Sequence, residues 1–153
     1  MSSGFDASVP NMARVYDYWL GGKDHYAADR EEAERLLRIY PPLRDLVREN
    51  RVFLAQAITW TAGQGIGQFL DLGAGLPTVQ NTHEVARAVN PAAQVAYIDT
   101  DPVVLSHARA LSPGNCLRNS SHRAGEPCHR GSRAQGRSEL CSSIERLRPA
   151  RRQ

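Results

Sequence analysis

A short apolar segment that runs into a glycine turn most constrains the fold of this chain. Residues Gln68–Leu76 read QFLDLGAGL, and the apolar positions before the turn suit a buried strand. Gly73 and Gly75 permit a tight turn to which a ligand or another backbone can come close. Asp71 interrupts the strand, and a carboxylate there costs free energy unless a cation or hydrogen-bond donor meets it. A strand that ends in such a turn predicts a ligand at its carboxyl end.

The elements after the turn predict one βαβ unit over residues 63–112. NTHEVARAV is a short helix in which Asn81 and Glu84 suit a capping box, and Asn90-Pro91 ends it. QVAYID (Gln94–Asp99) is the second strand. DPVVLSHARAL begins another helix, with Asp101 as its cap and Pro102 in its first position. The order strand, turn, helix, strand, helix favours parallel strands and an α/β fold.

Three helices are predicted in the preceding segment, residues 1–62, which we call the leader. The first covers Pro10–Leu20 and ends at Gly21-Gly22. The second is capped by Asp24 and continues to about Tyr40. The third covers roughly Leu43–Trp60 and has the strongest helical periodicity in the chain.

The segment after Leu111 differs sharply in composition. Residues 113–153 carry a net charge of +6, whereas residues 1–112 carry −3, so the overall +3 describes neither part. From residue 112 onward there is no Phe, Tyr, Trp, Val or Met, and no strand pattern is visible. Such a segment cannot bury enough apolar surface to offset its ordering entropy, which predicts a disordered basic tail. We expect at most a short helix in SELCSSIERLR.

The abrupt change at residue 112 suggests an out-of-frame or otherwise foreign ending. Translating the coding DNA downstream of codon 111 in the other two frames tests this hypothesis: it fails if neither frame encodes further apolar strands. The three cysteines, Cys116, Cys128 and Cys141, all lie in the tail at spacings that match no tight zinc motif. With His122 and His129 they leave a loose metal site as an alternative to incidental thiols. No metal is expected at the ligand site predicted beside the glycine turn.

The acids at the two strand ends indicate a nucleoside ligand with positive charge. Asp99 ends the second strand, where an acid can accept hydrogen bonds from ribose hydroxyls. A dinucleotide motif would need a third glycine where Thr78 stands. Asp71 would also repel a pyrophosphate, at a cost of about 4 kcal/mol for like charges ~4 Å apart at an effective dielectric constant of ~20. S-adenosylmethionine, with an ammonium, a sulfonium and a ribose, fits this pattern better.

The motifs DLGAGLP and YIDTDP resemble the first two motifs of class I S-adenosylmethionine-dependent methyltransferases. The leader sequence ARVYDYWLGGKDHYAADREEAERL is similar to that of an actinobacterial group of S-adenosyl methyltransferases. The resemblance covers about Pro10 to Leu111. It implies a Rossmann-like fold and methyl transfer to an unknown acceptor.

The resemblance also implies roles for individual residues. The cofactor-binding positions would be Asp71, Gly73, Ala74, Gly75, Asp99 and Thr100. Asp71 would face the methionine ammonium, the turn would pass close to the methionine part, Asp99 would hold the ribose hydroxyls, and Thr100 would lie beside the adenine. The leader around Tyr16, Lys23 and Tyr26 would form a lid, and His25 is a weaker candidate for the pocket lining.

The resemblance implies a seven-stranded sheet, of which the sequence predicts only the first two strands. The missing strands would carry an adenine-contacting acid and the substrate-facing residues, so no catalytic residue is assigned. Two strands with open edges are marginally stable and invite self-association. We therefore expect a chain that is impaired or inactive in methyl transfer.

Three alternatives stay open. They are a nicotinamide-dinucleotide protein, an inactive fragment or nucleoside-binding module, and an RNA-binding tail, the last disfavoured because its arginines lack interleaved aromatic residues. Asp71 could also be a capping or ion-paired acid without a ligand. The sequence has no apolar run long enough for a membrane span and no signal-peptide layout at its start, so a cytoplasmic location is expected.

Overall fold

The computed structural model describes residues 6–78, 80–111, 116–119 and 129–130. Helices α1, α2 and α3 come first, followed by strand β1, helix α4, strand β2, helix α5 and two further short strands. The helices are α1 Met12–Leu20, α2 Ala27–Ile39, α3 Leu43–Gly63, α4 Thr82–Val89 and α5 Pro102–Leu111. The strands are β1 Gln68–Leu72, β2 Gln94–Asp99, β3 Cys116–Asn119 and β4 His129–Arg130. The predicted α/β fold, a helical leader followed by a βαβα unit, is confirmed.

The first two leader helices begin later than the sequence predicts. Asn11 is the cap of α1, and its side-chain oxygen accepts a hydrogen bond from the Ala13 amide at 2.8 Å. Helix α2 begins after Tyr26, whose amide donates to Asp29 Oδ2 at 2.8 Å. The prediction that Asp24 caps α2 is therefore wrong. The local pattern did not reveal that Asp29, inside the helix, satisfies the terminal amide instead.

The leader has its own hydrophobic cluster. Val15 and Trp19, one turn apart on α1, pack with Ala33 of α2 and Val47 of α3. The Trp19 indole also donates to the Ala33 carbonyl oxygen at 3.3 Å. Apolar side chains at this helical spacing on α1 explain why it packs against both neighbouring helices.

Among the described strands the sheet has the order β1-β2-β3-β4, so β1 lies at one edge. Strands β1 and β2 are parallel, with register from Gln68 opposite Gln94 to Leu72 opposite Ile98. Helices α3 and α4 contribute Ile58 and Ala86 to a second hydrophobic cluster. Its other buried members come from β2 and the loop before it: Ala93, Val95 and Tyr97.

Strand β3 corrects the prediction that no strand follows Leu111. Cys116–Asn119 pairs in parallel with β2, and His129–Arg130 pairs antiparallel with β3. The sequence of β3, CLRN, has one large aliphatic residue and therefore shows no detectable alternation of apolar and polar residues. Its strand conformation depends on pairing with β2. The rest of the tail predicted to be disordered lies outside the described residues, as do Cys128, Cys141 and His122.

Two of the predicted helix caps are confirmed. The Asn81 amide donates to Glu84 Oε2 at 2.8 Å, which is half of the predicted capping box of α4. Asp101 Oδ1 accepts a hydrogen bond from the Val103 amide at 2.8 Å at the start of α5. Within the part of the chain that the structure describes, no helix is both long enough and apolar enough to cross a membrane.

Candidate cofactor-binding site

The glycine turn after β1 has the backbone conformation that its sequence predicts. Gly73 and Gly75 have φ angles of 69° and 68°, in the left-handed region that favours glycine. The Gly73 amide donates to the Ile98 carbonyl oxygen at 2.8 Å, which ties the turn to the end of β2. A Cβ at either glycine would meet no atom within 4 Å. The turn thus presents bare backbone to open space, as close approach of a ligand requires.

The turn forms one wall of a cavity of about 300 Å³, which we call the turn cavity. This volume lies at the lower end of the range typical of small-molecule sites. Its other walls come from α1 and α3 of the leader. The lining residues used below are Tyr16, Asp17, Arg51, Asp71, Gly73, Ala74 and Gly75.

Asp71 is half-buried and lies at the edge of the turn cavity. Its Oδ2 accepts a hydrogen bond from the Thr82 hydroxyl at 2.6 Å, at the beginning of α4. Asp71 takes part in none of the ion pairs found among the described residues. Its carboxylate is therefore held in place by a neutral donor and can still interact with a cation.

Asp99 has a different position from the predicted site residues of the glycine turn. It is 8% exposed, and its carboxylate bridges two backbone amides. Oδ2 accepts from Gly75 at 2.9 Å and Oδ1 accepts from Asp101 at 2.9 Å. Asp99 therefore contacts the turn from the side of β2. Among the described residues, those lining the turn cavity do not include Asp99 or the exposed Thr100.

The leader contributes only part of the predicted lid to this cavity. Tyr16 is part of the lining, and its hydroxyl donates to the Val47 carbonyl oxygen at 3.3 Å. Lys23, His25 and Tyr26 are not among the described lining residues. His25 instead contacts a lining residue from outside the cavity, since its Nδ1 is 3.1 Å from Asp17 Oδ2.

Sequence reasoning missed Asp17 and Arg51 as lining residues. Asp17 lies on α1 between the two core residues of that helix, so an acid on an otherwise apolar stretch was the available signal. Arg51 lies in the middle of α3, and its Nη2 donates to the Gln80 carbonyl oxygen at 2.9 Å. Both reach the turn through tertiary packing, which sequence spacing does not encode.

A buried ion network links the leader to the end of β2. Arg14 Nε lies 2.8 Å from Asp29 Oδ2, and Arg14 Nη1 lies 3.1 Å from Asp101 Oδ2. Burial acts to raise the pKa of Asp29, but hydrogen bonds from Arg14 and two backbone amides lower that pKa overall. Since Asp101 also donates its amide to Asp99, the network continues to the glycine turn.

A second polar pair stabilises the beginning of α4. Tyr97 Oη accepts a hydrogen bond from the His83 amide at 2.9 Å and lies 2.7 Å from His83 Nδ1. Burial lowers the pKa of His83, so the neutral ring accepts from the Tyr97 hydroxyl. Burial also raises the pKa of Tyr97 well above its ordinary value. Both groups stay uncharged near neutral pH and act as structural partners.

The described lining of the turn cavity carries more acidic than basic side chains. In the described ranges, no group of three or more His, Cys, Asp or Glu side chains could hold a metal. The turn cavity combines two carboxylates and one guanidinium with the open backbone of a glycine turn at a sheet end, the position at which parallel α/β proteins bind their ligands.

The chain is similar to known proteins in sequence and in structure. A family model described as S-adenosyl methyltransferase matches residues 1–118, so the match continues seven residues past Leu111. None of the curated proteins matched the chain.

Two solved structures are similar to the chain. One, described as a candidate methyltransferase from Thermobifida fusca YX, has 50% sequence identity and a TM-score of 0.71, and the match covers 80% of this chain and 47% of that one. The other is a DUF574 family protein from Streptomyces avermitilis MA-4680, with 38% identity and a TM-score of 0.69 over 78% of this chain and 47% of that one. The chain thus spans about half the length of the solved structures that it matches.

Proposed function

Because this chain belongs to the S-adenosyl methyltransferase family, we propose that it binds S-adenosylmethionine in the turn cavity. One observation carries the proposal: Asp71 and the two left-handed glycines, Gly73 and Gly75, line the same cavity. A carboxylate beside exposed backbone suits a ligand that has both an ammonium group and a polar chain.

The residues of the site have separate roles in this proposal. Asp71 holds the methionine ammonium, directly or through water, while the turn at Gly73, Ala74 and Gly75 receives the methionine part. Asp99 holds the ribose hydroxyls. Its two carboxylate oxygens each accept one backbone amide, which leaves further lone pairs for ligand hydroxyls. Thr100, exposed beside Asp99, lies next to the adenine.

The bound cofactor would supply an electrophilic methyl group for transfer to a nucleophile of unspecified chemistry. The contribution of the chain is to orient the cofactor and exclude water with the α1 and α3 walls. Weak or absent methyl transfer by this chain stays a prediction, and the chain spans about half the length of the solved structures that it matches. A cytoplasmic location stays a prediction.

Calorimetric titration with S-adenosylhomocysteine tests the binding proposal. Asp71→Asn keeps the shape of the side chain and removes its charge, so we expect a loss of about 1.5–3 kcal/mol of binding free energy, the range for a hydrogen bond to a charged group. Asp45→Asn is the matched control, since Asp45 is an exposed acid of α3 that lies outside the described lining. Equal affinity of the wild type and Asp71→Asn would contradict the role of Asp71.

A dinucleotide protein is the alternative function, and titration with NAD separates the two. The charge of the cavity disfavours it, because the lining carries Asp17 and Asp71 against a single cation, Arg51, within the described residues. A pyrophosphate would meet two carboxylates there. Tighter binding of NAD than of S-adenosylhomocysteine would overturn the proposal.

A further inference from the structure

Asp17 is a buried carboxylate that faces the turn cavity from the leader. Its side chain is 2% exposed, yet it is among the residues that line the cavity. A buried acid on a helix is costly unless its charge is matched, so its position needs an explanation. Hydrogen bonds from the nearby backbone explain the position of Asp17 only in part.

The hydrogen bonds to the Asp17 carboxylate all fall on one of its two oxygens. Oδ2 accepts from the Asp24 amide at 3.0 Å and lies 3.1 Å from His25 Nδ1. Oδ1 accepts no hydrogen bond from the described residues. Gly22 packs against the carboxyl group so closely that a Cβ there would collide with it, which fixes the side chain in this orientation.

The charged side chains of the described lining are opposite in sign to the charged groups of the cofactor. Asp17 and Asp71 are its two acids and Arg51 is its one base. S-adenosylmethionine carries two cationic groups, the ammonium and the sulfonium, and one carboxylate. The charges of the lining and of the cofactor are opposite in sign and equal in number. This favours S-adenosylmethionine over nucleotides with a phosphate chain.

We propose that Asp17 and Arg51 are specificity residues that read the charged groups of the methionine part. Asp17, together with Asp71, contacts the cationic groups, and Arg51 contacts the ligand carboxylate. The inference rests on the proposed function and deepens it, since it gives the leader a binding role in addition to covering the site. The Arg51 guanidinium has donor capacity for this role beyond its hydrogen bond to Gln80.

A panel of three ligands tests the inference in the full chain. S-adenosylmethionine carries all three charged groups, S-adenosylhomocysteine lacks the sulfonium charge, and 5′-methylthioadenosine lacks the whole amino-acid end. We expect Asp17→Asn and Arg51→Gln each to weaken binding of S-adenosylmethionine roughly tenfold or more. Affinity for 5′-methylthioadenosine should change less than about twofold, because that ligand offers neither residue a charged partner.

The outcomes separate this inference from the proposed function. If the wild type binds none of the three ligands, both fail. If the wild type binds S-adenosylmethionine and both variants bind it equally well, only the inference fails. A uniform loss for all three ligands would indicate that Asp17 is merely structural and would overturn its role. Arg51→Gln provides an independent test should Asp17→Asn not fold, which circular dichroism would reveal.

Discussion

The Asp99 carboxylate accepts a hydrogen bond from the Gly75 amide at 2.9 Å, and so joins the end of β2 to the turn that follows β1. The same carboxylate holds the Asp101 amide at the start of α5. One side chain therefore fixes the relative position of the glycine turn and the next helix. The acid that the family resemblance assigns to the ribose also has a structural role.

Asp99→Ala is expected to lower the free energy of unfolding by about 1–3 kcal/mol, because it leaves one part-buried amide and one buried amide without their acceptor. Urea denaturation measures the change. Asp45→Ala removes an exposed acid and is expected to change stability by less than about 0.5 kcal/mol. Equal stability of Asp99→Ala and wild type would contradict the structural role.

Arg14→Met should be among the most destabilising substitutions in the leader. It would leave the buried Asp29 and Asp101 carboxylates without their cation, at a cost of roughly 3–5 kcal/mol. Arg44→Met is the control, since Arg44 makes an exposed ion pair with Glu34 at 3.7 Å, worth about 1 kcal/mol or less. Thermal unfolding of both variants measures the difference, and similar losses would argue against the buried network.

Gly22 and Gly63 provide a matched pair of glycine substitutions. Gly22→Ala should destabilise the protein by roughly 1–3 kcal/mol, because the new methyl group would collide with the carboxyl group of Asp17. Gly63→Ala meets no atom within 4 Å at the end of α3 and should be neutral or stabilising by up to about 1 kcal/mol. Chemical denaturation of the two variants should give changes of opposite sign or clearly different size.

His83 should make stability depend on pH below its ordinary pKa of 6.5. Burial lowers its pKa in the folded state, so the unfolded chain takes up the proton first. The stabilisation from the neutral His83 ring is complete above pH 6.5 and is lost as the pH falls through the pKa of His83 in the folded state. The stability difference between wild type and His83→Gln should therefore shrink with falling pH. For Ser106→Ala, which removes no titrating group, the difference from wild type should stay constant.

The open edge at β1 is expected to cause self-association. Leu70, 43% exposed, lies on this strand, whose outer edge pairs with no other strand among the described residues. Leu70→Lys should shift sedimentation velocity profiles toward the monomer, because a lysine on an edge strand opposes pairing with another chain. Phe53→Lys removes an exposed apolar residue from α3 and serves as the control. An equal effect of both variants would point to general surface hydrophobicity.

The sequence was most informative where the signal is local. Strand β2 has the predicted bounds, and the left-handed turn at Gly73 and Gly75 follows from the glycines themselves. The capping residue Asn81 was also identified correctly, because a cap and its helix are adjacent in the chain. Each of these features is fixed by residues within a few positions of one another.

Prediction failed where distant residues decide the outcome. Strand β3 is specified by pairing with β2, and Cys116 lies opposite Ala96. Asp17 reaches the turn cavity only because α1 packs on the rest of the leader. The position of Asp99 was predicted, but its hydrogen bond to Gly75 depends on the relative height of two strand ends, which one sequence does not reveal.

Helix α3 contributes Val47 to the leader cluster and Ile58 to the cluster beneath the sheet. One continuous helix therefore contributes to both clusters. If either the leader or the parallel strands unfolded, apolar side chains of the other would become exposed. The leader and the parallel strands should consequently melt together as one cooperative unit, and a cut at residue 62 would separate Ile58 from the rest of its cluster and expose it on the leader piece.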